Sequence, residues 1–207
     1  MQQVRLSRPV GIAILAGFGA VCGLAQRFEA GFAGGVPLTD PLTASPPAFD
    51  ATTERWTAGP AVKIRLAGGF SLRLEALYRR FGYRYSGDGG APERAYLGRT
   101  IGRWEFPLLA CYRFGRGRLR PFVSLGVSLN RITGAGGLAG DPAELRHRQA
   151  LGYVLGGGFE IPLGPLRLAP EIRYTHWGDR NFGVKDAALR SNLDQVDALV
   201  ALRFAIR

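Results

Sequence analysis

The sequence predicts an all-β protein: an eight-stranded antiparallel up-and-down transmembrane β-barrel after an N-terminal signal peptide. Three observations lead to this prediction. About eight runs of the chain alternate apolar residues with polar or small ones, which is the period of a β-strand. Each run is short enough to cross a bilayer as a tilted strand. The connections between the runs alternate between long and short, as in a barrel whose long loops all lie on one side.

The alternation is clearest in residues 103–130, where two strand-like arms flank the turn Gly115–Arg118. In each arm one face is apolar and the other is polar or small. The apolar faces consist of Trp104, Phe106, Leu108, Ala110, Tyr112 and Phe114, then Pro121, Val123, Leu125, Val127 and Leu129. A soluble sandwich would bury these faces, whereas a membrane barrel turns them to lipid and encloses the polar ones. The sorting of connections by length favours the barrel.

Residues 1–25 predict a cleaved export signal. Two arginines and no acid precede an apolar run from residue 10 to residue 24, and small residues occupy the positions that a signal peptidase reads before a cut after Ala25. The run is short and glycine-rich for a membrane anchor. We therefore divide the chain into a signal peptide, 1–25, and a barrel domain, 26–207.

The other strands are predicted in chain order by the same alternation. They are residues 28–34, 56–66, 70–79, 151–161, 166–174 and 196–206. Short turns follow at 67–69 and 162–165, and the long connections are predicted at 37–55, 86–98, 131–149 and 178–193. Pro60, Pro107 and Pro170 fall inside strands, where proline cannot donate to the ladder, so we interpret them as bulges that leave the local register open.

The charge is basic but dispersed. The chain has 27 Lys and Arg against 16 Asp and Glu, and removing the two arginines of the signal leaves 25 against 16. Nearly all of the excess is arginine spread over strands and loops, without the basic block of a nucleic-acid-binding face, so no nucleic-acid partner is expected. Cys22 leaves with the signal, and Cys111 remains alone, so no intramolecular disulfide is expected.

Both signs of charge recur on the faces predicted to point inward. An eight-stranded barrel is just wide enough for side chains to fill it, and an unpaired charge enclosed there would be unfavourable. We expect the charges to pair into a network that plugs the lumen rather than to line an open pore. The predicted network is Arg73, Glu75, Arg103, Glu105, Arg113, Glu160, Glu171, Arg173 and Arg203.

Aromatic residues near the strand ends that face the long connections predict a girdle. Amphipathic rings prefer the headgroup level of a bilayer. The predicted girdle is Trp56, Tyr83, Tyr85, Trp104, Tyr174 and Trp177.

The two histidines do not indicate catalysis. His147 lies between arginines and His176 precedes Trp177, and neither has a serine at a spacing that would form a nucleophilic pair. Two histidines without a thiol pair form no recognisable zinc ligand set. We therefore predict no catalytic residue, no metal and no cofactor.

The barrel region resembles a known family through four short motifs. They are Trp104-Glu105-Phe106-Pro107-Leu108-Leu109, Tyr112-Arg113-Phe114, Arg120-Pro121-Phe122 and Pro170-Glu171-Ile172-Arg173-Tyr174. These are similar to the small outer-membrane barrels of OmpA-like and OmpX-like proteins, most closely the group called outer membrane protein beta-barrel domain. Such barrels typically finish on an aromatic residue, whereas this chain finishes Phe204-Ala205-Ile206-Arg207.

The resemblance implies a non-enzymatic barrel in the bacterial outer membrane, with outer-membrane lipid around it. We expect a monomer with a structural or adhesin-like role, its four long loops being available to a surface ligand. Two alternatives remain open at this stage: a lipid-modifying barrel enzyme, and a soluble lipocalin-like barrel that binds a small apolar ligand. The last would need an apolar interior and a polar exterior.

Overall fold

The computed structural model describes residues 27–44, 49–85, 99–115, 117–134, 144–183 and 189–206. The predicted signal peptide and the connection at 86–98 therefore lie outside the described residues. Among those described, no helix has the length and apolar character needed to cross a membrane.

The described residues form eleven β-strands, and β4 and β5 follow one another as a single wall strand. The bounds are β1 Arg27–Pro37, β2 Leu42–Ala44, β3 Phe49–Arg65, β4 Phe70–Glu75, β5 Leu77–Tyr85, β6 Arg99–Arg113, β7 Arg120–Thr133, β8 Gln149–Leu163, β9 Leu166–Trp177, β10 Leu189–Ser191 and β11 Asp194–Ile206. β2 and β10 form a separate two-stranded sheet. The other elements form the eight strands of the wall.

The wall is a closed antiparallel ring. Around the ring the order is β1, β3, β4 with β5, β6, β7, β8, β9 and β11, and β1 pairs with both β3 and β11. At the closure Phe32 faces Leu202 on one side and Pro60 on the other. Each neighbour in the ring therefore supplies the hydrogen bonds that an open edge would lack. The predicted eight-stranded barrel is confirmed.

The short connections lie together at one end of the ring. They are the 3-10 turn Ala67–Gly69, the turn between β6 and β7, and the turn between β8 and β9. Gly68, Gly115 and Gly164 have φ near +65°, a conformation that glycine adopts without strain. The start of β1 lies at this end too, since Arg27 pairs with Arg65 just before the Ala67–Gly69 turn, and the end of β11 lies beside it because Phe28 pairs with Ile206. We call it the inner end, and the opposite one the outer end.

The long connection predicted at 37–55 is wrong in its second half, because β3 begins at Phe49. Residues 49–53 of β3 pair with Phe81–Tyr85 of β5. The register then shifts between Thr53 and Thr57, which is the irregularity in the β3–β5 ladder. Asp50 and Thr52 are exposed there and Ala51 is partly buried, so the polar residues face outward, opposite to the lipid-facing part of the wall. A search for apolar outward faces therefore does not reveal this part of the strand.

The prediction of bulges at Pro60, Pro107 and Pro170 is also wrong. Pro107 pairs with Ser128 in an unbroken β6–β7 register, and Pro170 pairs with Val200 in an equally regular β9–β11 register. At Pro60 the carbonyl still accepts from the amide of Ala76 at 3.0 Å. Each proline removes a donor from the ladder without shifting its partners.

The two faces of the wall differ sharply in chemistry. Outward residues are exposed and apolar, as shown by Phe32 at 70 %, Leu125 at 63 % and Leu155 at 56 %. Inward residues include charged side chains that are almost completely buried, such as Arg73 and Glu160. This is the arrangement of a barrel that faces lipid, and it excludes the soluble lipocalin-like alternative.

Replacing Leu125 with arginine tests the orientation of the wall. Leu125 lies midway along β7 and points outward between Ala110 and Leu155. A guanidinium at that depth should destabilise the folded barrel by about 2–4 kcal/mol. The measurement is the unfolding midpoint in lipid bilayers, read from the migration of folded and unfolded protein on a gel.

Leu119→Arg is the matched control, because Leu119 is 56 % exposed but lies in the turn before β7. Its midpoint should stay close to that of the parent. Equal midpoints for the parent and Leu125→Arg would contradict the assignment of this face to lipid.

Candidate functional site

The middle of the lumen is filled by four arginines and four carboxylates, which we call the central network. Each member is inward-facing and almost completely buried. The members are Arg73, Glu75, Arg79, Arg103, Glu105, Glu171, Arg173 and Asp197. Within this group the formal charges balance.

One half of the central network is a ring of four side chains across the lumen from β4 to β9. Arg73 contacts Glu75 at 3.1 Å and Glu171 at 2.7 Å. Arg173 contacts the same two carboxylates, at 2.8 Å and 3.2 Å. Each carboxylate is thus shared by two guanidinium groups, which offsets part of the unfavourable desolvation of the charges.

The other half joins β5, β6 and β11. Two nitrogens of Arg79 donate to the two oxygens of Asp197, at 3.1 Å and 2.9 Å, and one of them also contacts Glu105 at 3.1 Å. Arg103 contacts Glu105 at 2.5 Å and donates to Gln195 at 2.6 Å. Its guanidinium also lies 5.4 Å from the ring centre of Trp177, within cation–π range.

Small residues on the inward faces make room for these long side chains. Ser124 donates to Glu171 at 3.0 Å. A Cβ placed on Gly156 would lie 2.3 Å from the Glu171 carboxylate and 2.5 Å from the Ser124 hydroxyl oxygen. Glycine at 156 therefore leaves the volume that this carboxylate occupies.

A second charged group, the inner cluster, lies toward the inner end of the lumen. It consists of two carboxylates and five cations: Glu29, Glu160, Lys63, Arg65, Arg113, Arg167 and Arg203. Glu160 contacts Lys63 at 2.6 Å, and Glu29 contacts Arg203 at 3.3 Å and pairs with Arg65. Unlike the central network, this group has more cations than anions.

The outer end of the lumen is filled by apolar side chains, which we call the outer cap. Its buried members are Leu42, Phe81, Tyr83, Ile101, Ile132, Phe182 and Leu189. Phe182, from the connection after β9, packs edge-on against Phe81 with ring centres 6.1 Å apart. Leu42 and Leu189 come from β2 and β10, the two strands that pair within the long connections. The cap therefore joins wall residues to residues of the connections.

Hydrogen bonds hold the connection after β9 over the lumen. Asn181 and Asn130 exchange side-chain hydrogen bonds at 3.1 Å, and Asn181 donates to the carbonyl of His147 at 2.9 Å. The amide of Phe182 donates to Ser191 at 2.9 Å. These bonds satisfy polar groups that the cap would otherwise bury without partners.

All nine residues of the predicted lumen network point inward, and the structure divides them into two groups. Six join the central network, whereas Arg113, Glu160 and Arg203 join the inner cluster. The prediction missed further members: Glu29, Lys63, Arg65, Arg79, Arg167 and Asp197. The alternation along each strand could have identified them, because they lie an even number of residues from the inward-facing residues of the same strand.

The predicted girdle is wrong at Tyr83 and Trp177. Both side chains point inward and are nearly completely buried, because each alternates in step with the inward-facing residues of its strand, β5 or β9. Tyr83 lies in the outer cap, and Trp177 lies beside Arg103. Trp56, Trp104 and Tyr174 lie on the outward face. The side chain of Tyr85 lies outside the described residues.

His176 lies on the outward face near the outer end. Its Nδ1 lies 2.7 Å from Asp194, whose carboxylate also accepts from the Tyr174 hydroxyl at 2.5 Å. Among the described residues, the hydrogen-bonding partner of His176 is thus a carboxylate and not a serine. In the same part of the chain, no three His, Cys, Asp or Glu side chains form a group that could hold a metal.

Comparisons with known proteins agree on the architecture. The family described as outer membrane protein beta-barrel domain matches residues 24–178. OprG from Pseudomonas aeruginosa is similar in structure, with a TM-score of 0.60, 14% identity and coverage of 88% of this chain and 95% of that chain. Neisserial surface protein A gives a TM-score of 0.55 at 15% identity, covering 87% and 97%. The N-terminal barrel of OprF from Pseudomonas aeruginosa gives 0.52 at 13%, covering 87% and 97%.

At these identities the structural likeness establishes the fold alone. No curated protein sequence matches the chain.

Replacing Glu105 tests the central network. Glu105→Gln keeps the size of the side chain but leaves Arg103 without its carboxylate partner. Breaking one partner of a buried ion pair should destabilise the barrel by about 3–5 kcal/mol. The measurement is the unfolding free energy in bilayers, with Asp179→Asn as the control because Asp179 is exposed outside the lumen.

A double variant separates loss of pairing from loss of packing. Glu105→Leu with Arg103→Met removes both charges, so much of the stability lost in the single variant should return. A Glu105→Gln variant as stable as Asp179→Asn would show that the pairing does not matter to the fold.

Proposed function

The chain belongs to the outer membrane protein beta-barrel domain family, and we propose that it is a closed, non-conducting barrel that acts at the cell surface. It lies in the bacterial outer membrane, where its wall faces lipid. Its role is structural or adhesin-like: the wall anchors it, and the outer connections meet ligands. We further propose that it acts as a monomer and without enzymatic activity.

The observation that carries this proposal is the filled lumen. The central network occupies the middle, and the outer cap occupies the outer end. Charged side chains that are paired with one another do not offer a continuous water path, and an apolar cap adds a second barrier. A barrel of this kind supports a function at its surface better than transport through its interior.

A groove of about 510 Å³ at the outer end offers a place for a ligand. Its lining combines the apolar residues Leu38, Leu42, Ala44 and Ala51 with Asp40, Asp50, Thr39, Thr43 and Asn192, whose side chains carry carboxylate, hydroxyl and amide groups. Such groups pair with hydroxyl and amine donors, which suits a neutral or amino sugar better than an acidic one. We infer that surface glycans of this chemistry are the ligand class.

The proposed lack of enzymatic activity is supported by the surroundings of His176. Among the described residues, its hydrogen-bonding partner is Asp194 and not a nucleophilic serine, threonine or cysteine. A lipid-modifying barrel would need a nucleophile and base within hydrogen-bond reach. The bond from His176 to Asp194 instead fits an interfacial polar cluster on the outward face.

Planar-bilayer recordings test the closed lumen. The purified protein should show no steady conductance, because the cap and the central network fill the interior. Phe182→Ser combined with Glu105→Gln should admit water and produce at least transient openings, whereas Leu119→Arg should stay silent. A reproducible large pore in the parent protein would overturn the closed barrel.

Binding to a glycan array tests the surface role. Proteoliposomes bearing the protein should bind neutral or amino sugars, and Asp40→Asn with Asp50→Asn should weaken binding about tenfold, as expected for the loss of charge-assisted hydrogen bonds. Asp179→Asn removes an exposed carboxylate outside the groove and should leave binding unchanged. Equal binding by the parent protein and by protein-free liposomes would contradict the adhesin-like role, and equal binding by the parent and the groove variant would contradict the groove as the binding site.

A further inference from the structure

The inner cluster has a charge that its own residues do not balance. Five cations surround two carboxylates, which leaves a formal excess of three positive charges among the described residues. The central network, by contrast, pairs four cations with four anions. Enclosing an excess of like charge is unfavourable unless an anion or water compensates it.

The two carboxylates are already shared by several cations. Glu160 contacts Lys63 at 2.6 Å, Arg65 at 3.2 Å, Arg113 at 3.3 Å and Arg203 at 3.7 Å. Glu29 is shared in the same way by Arg65, Arg167 and Arg203, and both carboxylates are completely buried. The remaining positive charge must be met from outside the cluster.

Arg167 is the member with the weakest internal pairing. Its Nε lies 4.0 Å from Glu29, at the limit of an ion pair. It also stands directly opposite Arg203 in the β9–β11 ladder, and like charges at facing positions are destabilising. Stability alone does not account for an arginine here.

The inner cluster also has an unused hydrogen-bond donor, and solvent can reach it from the inner end. Nη1 of Arg203 has no hydrogen-bond partner within the described structure, although Arg203 is only 1 % exposed. The side chains of Arg65, Arg113 and Arg167 remain 15 %, 24 % and 16 % exposed at the inner end. The cluster is therefore buried at its base and open to solvent at its mouth.

We propose that the inner cluster is a binding site for a phosphate-type oxyanion, with Arg113 and Arg167 as its solvent-facing ligands. Planar guanidinium groups donate in pairs to phosphate oxygens, and several of them converge here from different strands. A phosphate dianion would offset most of the excess charge. The phosphate comes either from a free phosphate ion or from the headgroup of an anionic phospholipid at the inner surface of the membrane.

Titration with inorganic phosphate tests the first source. The full barrel in an uncharged detergent is titrated by calorimetry at constant ionic strength, and the parent should bind saturably. Arg113→Gln with Arg167→Gln should raise the Kd at least about tenfold, the effect expected for lost charge-assisted hydrogen bonds. Arg118→Gln with Arg180→Gln removes two exposed arginines outside the lumen and should change the Kd less than about twofold.

The thermal stability of a single variant separates binding from packing. Without phosphate, Arg167→Gln should unfold at the same or a higher temperature than the parent, because it relieves the repulsion from Arg203. With phosphate the parent should gain stability, as any ligand that binds the folded state stabilises it, and Arg167→Gln should gain less. Arg167→Lys, which keeps the charge, should recover part of the gain.

Native mass spectrometry tests the second source. Protein taken from bilayers of equal phosphatidylglycerol and phosphatidylcholine should retain phosphatidylglycerol, and the variant with Arg113→Gln and Arg167→Gln should lose it. Phosphate binding in detergent identifies a free oxyanion, whereas lipid retention without it identifies a headgroup. The proposal is overturned if the parent binds neither probe, or if the variant binds both as tightly as the parent.

Discussion

Closure of the sheet is the constraint on which the rest of the structure depends. Lipid offers no hydrogen bonds to a strand edge, so β1 must pair with β11 as well as with β3. Once the ring is closed, the alternation of side chains sends every second residue to lipid and every other one into the lumen. Apolar residues take the outward places, and charged residues are therefore enclosed with little water. The ion pairs are a consequence of closure rather than its cause.

The enclosed charges then fix the register of the strands. A slip of one residue in any strand would turn its arginines and glutamates to lipid and its leucines into the lumen. Buried ion pairs add little net stability over apolar packing, but breaking them is unfavourable, so they penalise such slips. Close packing restricts the register as well. A Cβ at Gly126 would lie 2.0 Å from the Leu108 carbonyl oxygen, so only glycine fits opposite this part of β6. Charge and shape thus select the same pairing.

The sequence predicts the faces well and the partners poorly, for a physical reason. Parity along a strand decides which residues point inward, and it places Arg73, Glu160 and their neighbours correctly. Partners such as Lys63 and Glu160 meet across the lumen from strands that are not adjacent, so no local pattern links them. The girdle was predicted from residue type, and this fails where the strand alternation places an aromatic residue inward. Tyr83 and Trp177 have the side chains of girdle residues but lie inside the barrel. At Phe49–Thr53 the outward residues Asp50 and Thr52 are polar, so the pattern of apolar outward faces ends and the strand is not detected.

The lumen changes character along its length, and this indicates where function can lie. The outer cap is apolar and the four cations of the central network are balanced by four anions, so neither needs a compensating ion. The inner cluster is different: among the described residues its excess of positive charge has no balancing anion, and Arg167 faces Arg203, which is unfavourable. Structure alone would favour a neutral residue at that position. An arrangement that is unfavourable by itself and accessible to solvent is best understood as one that a bound anion completes.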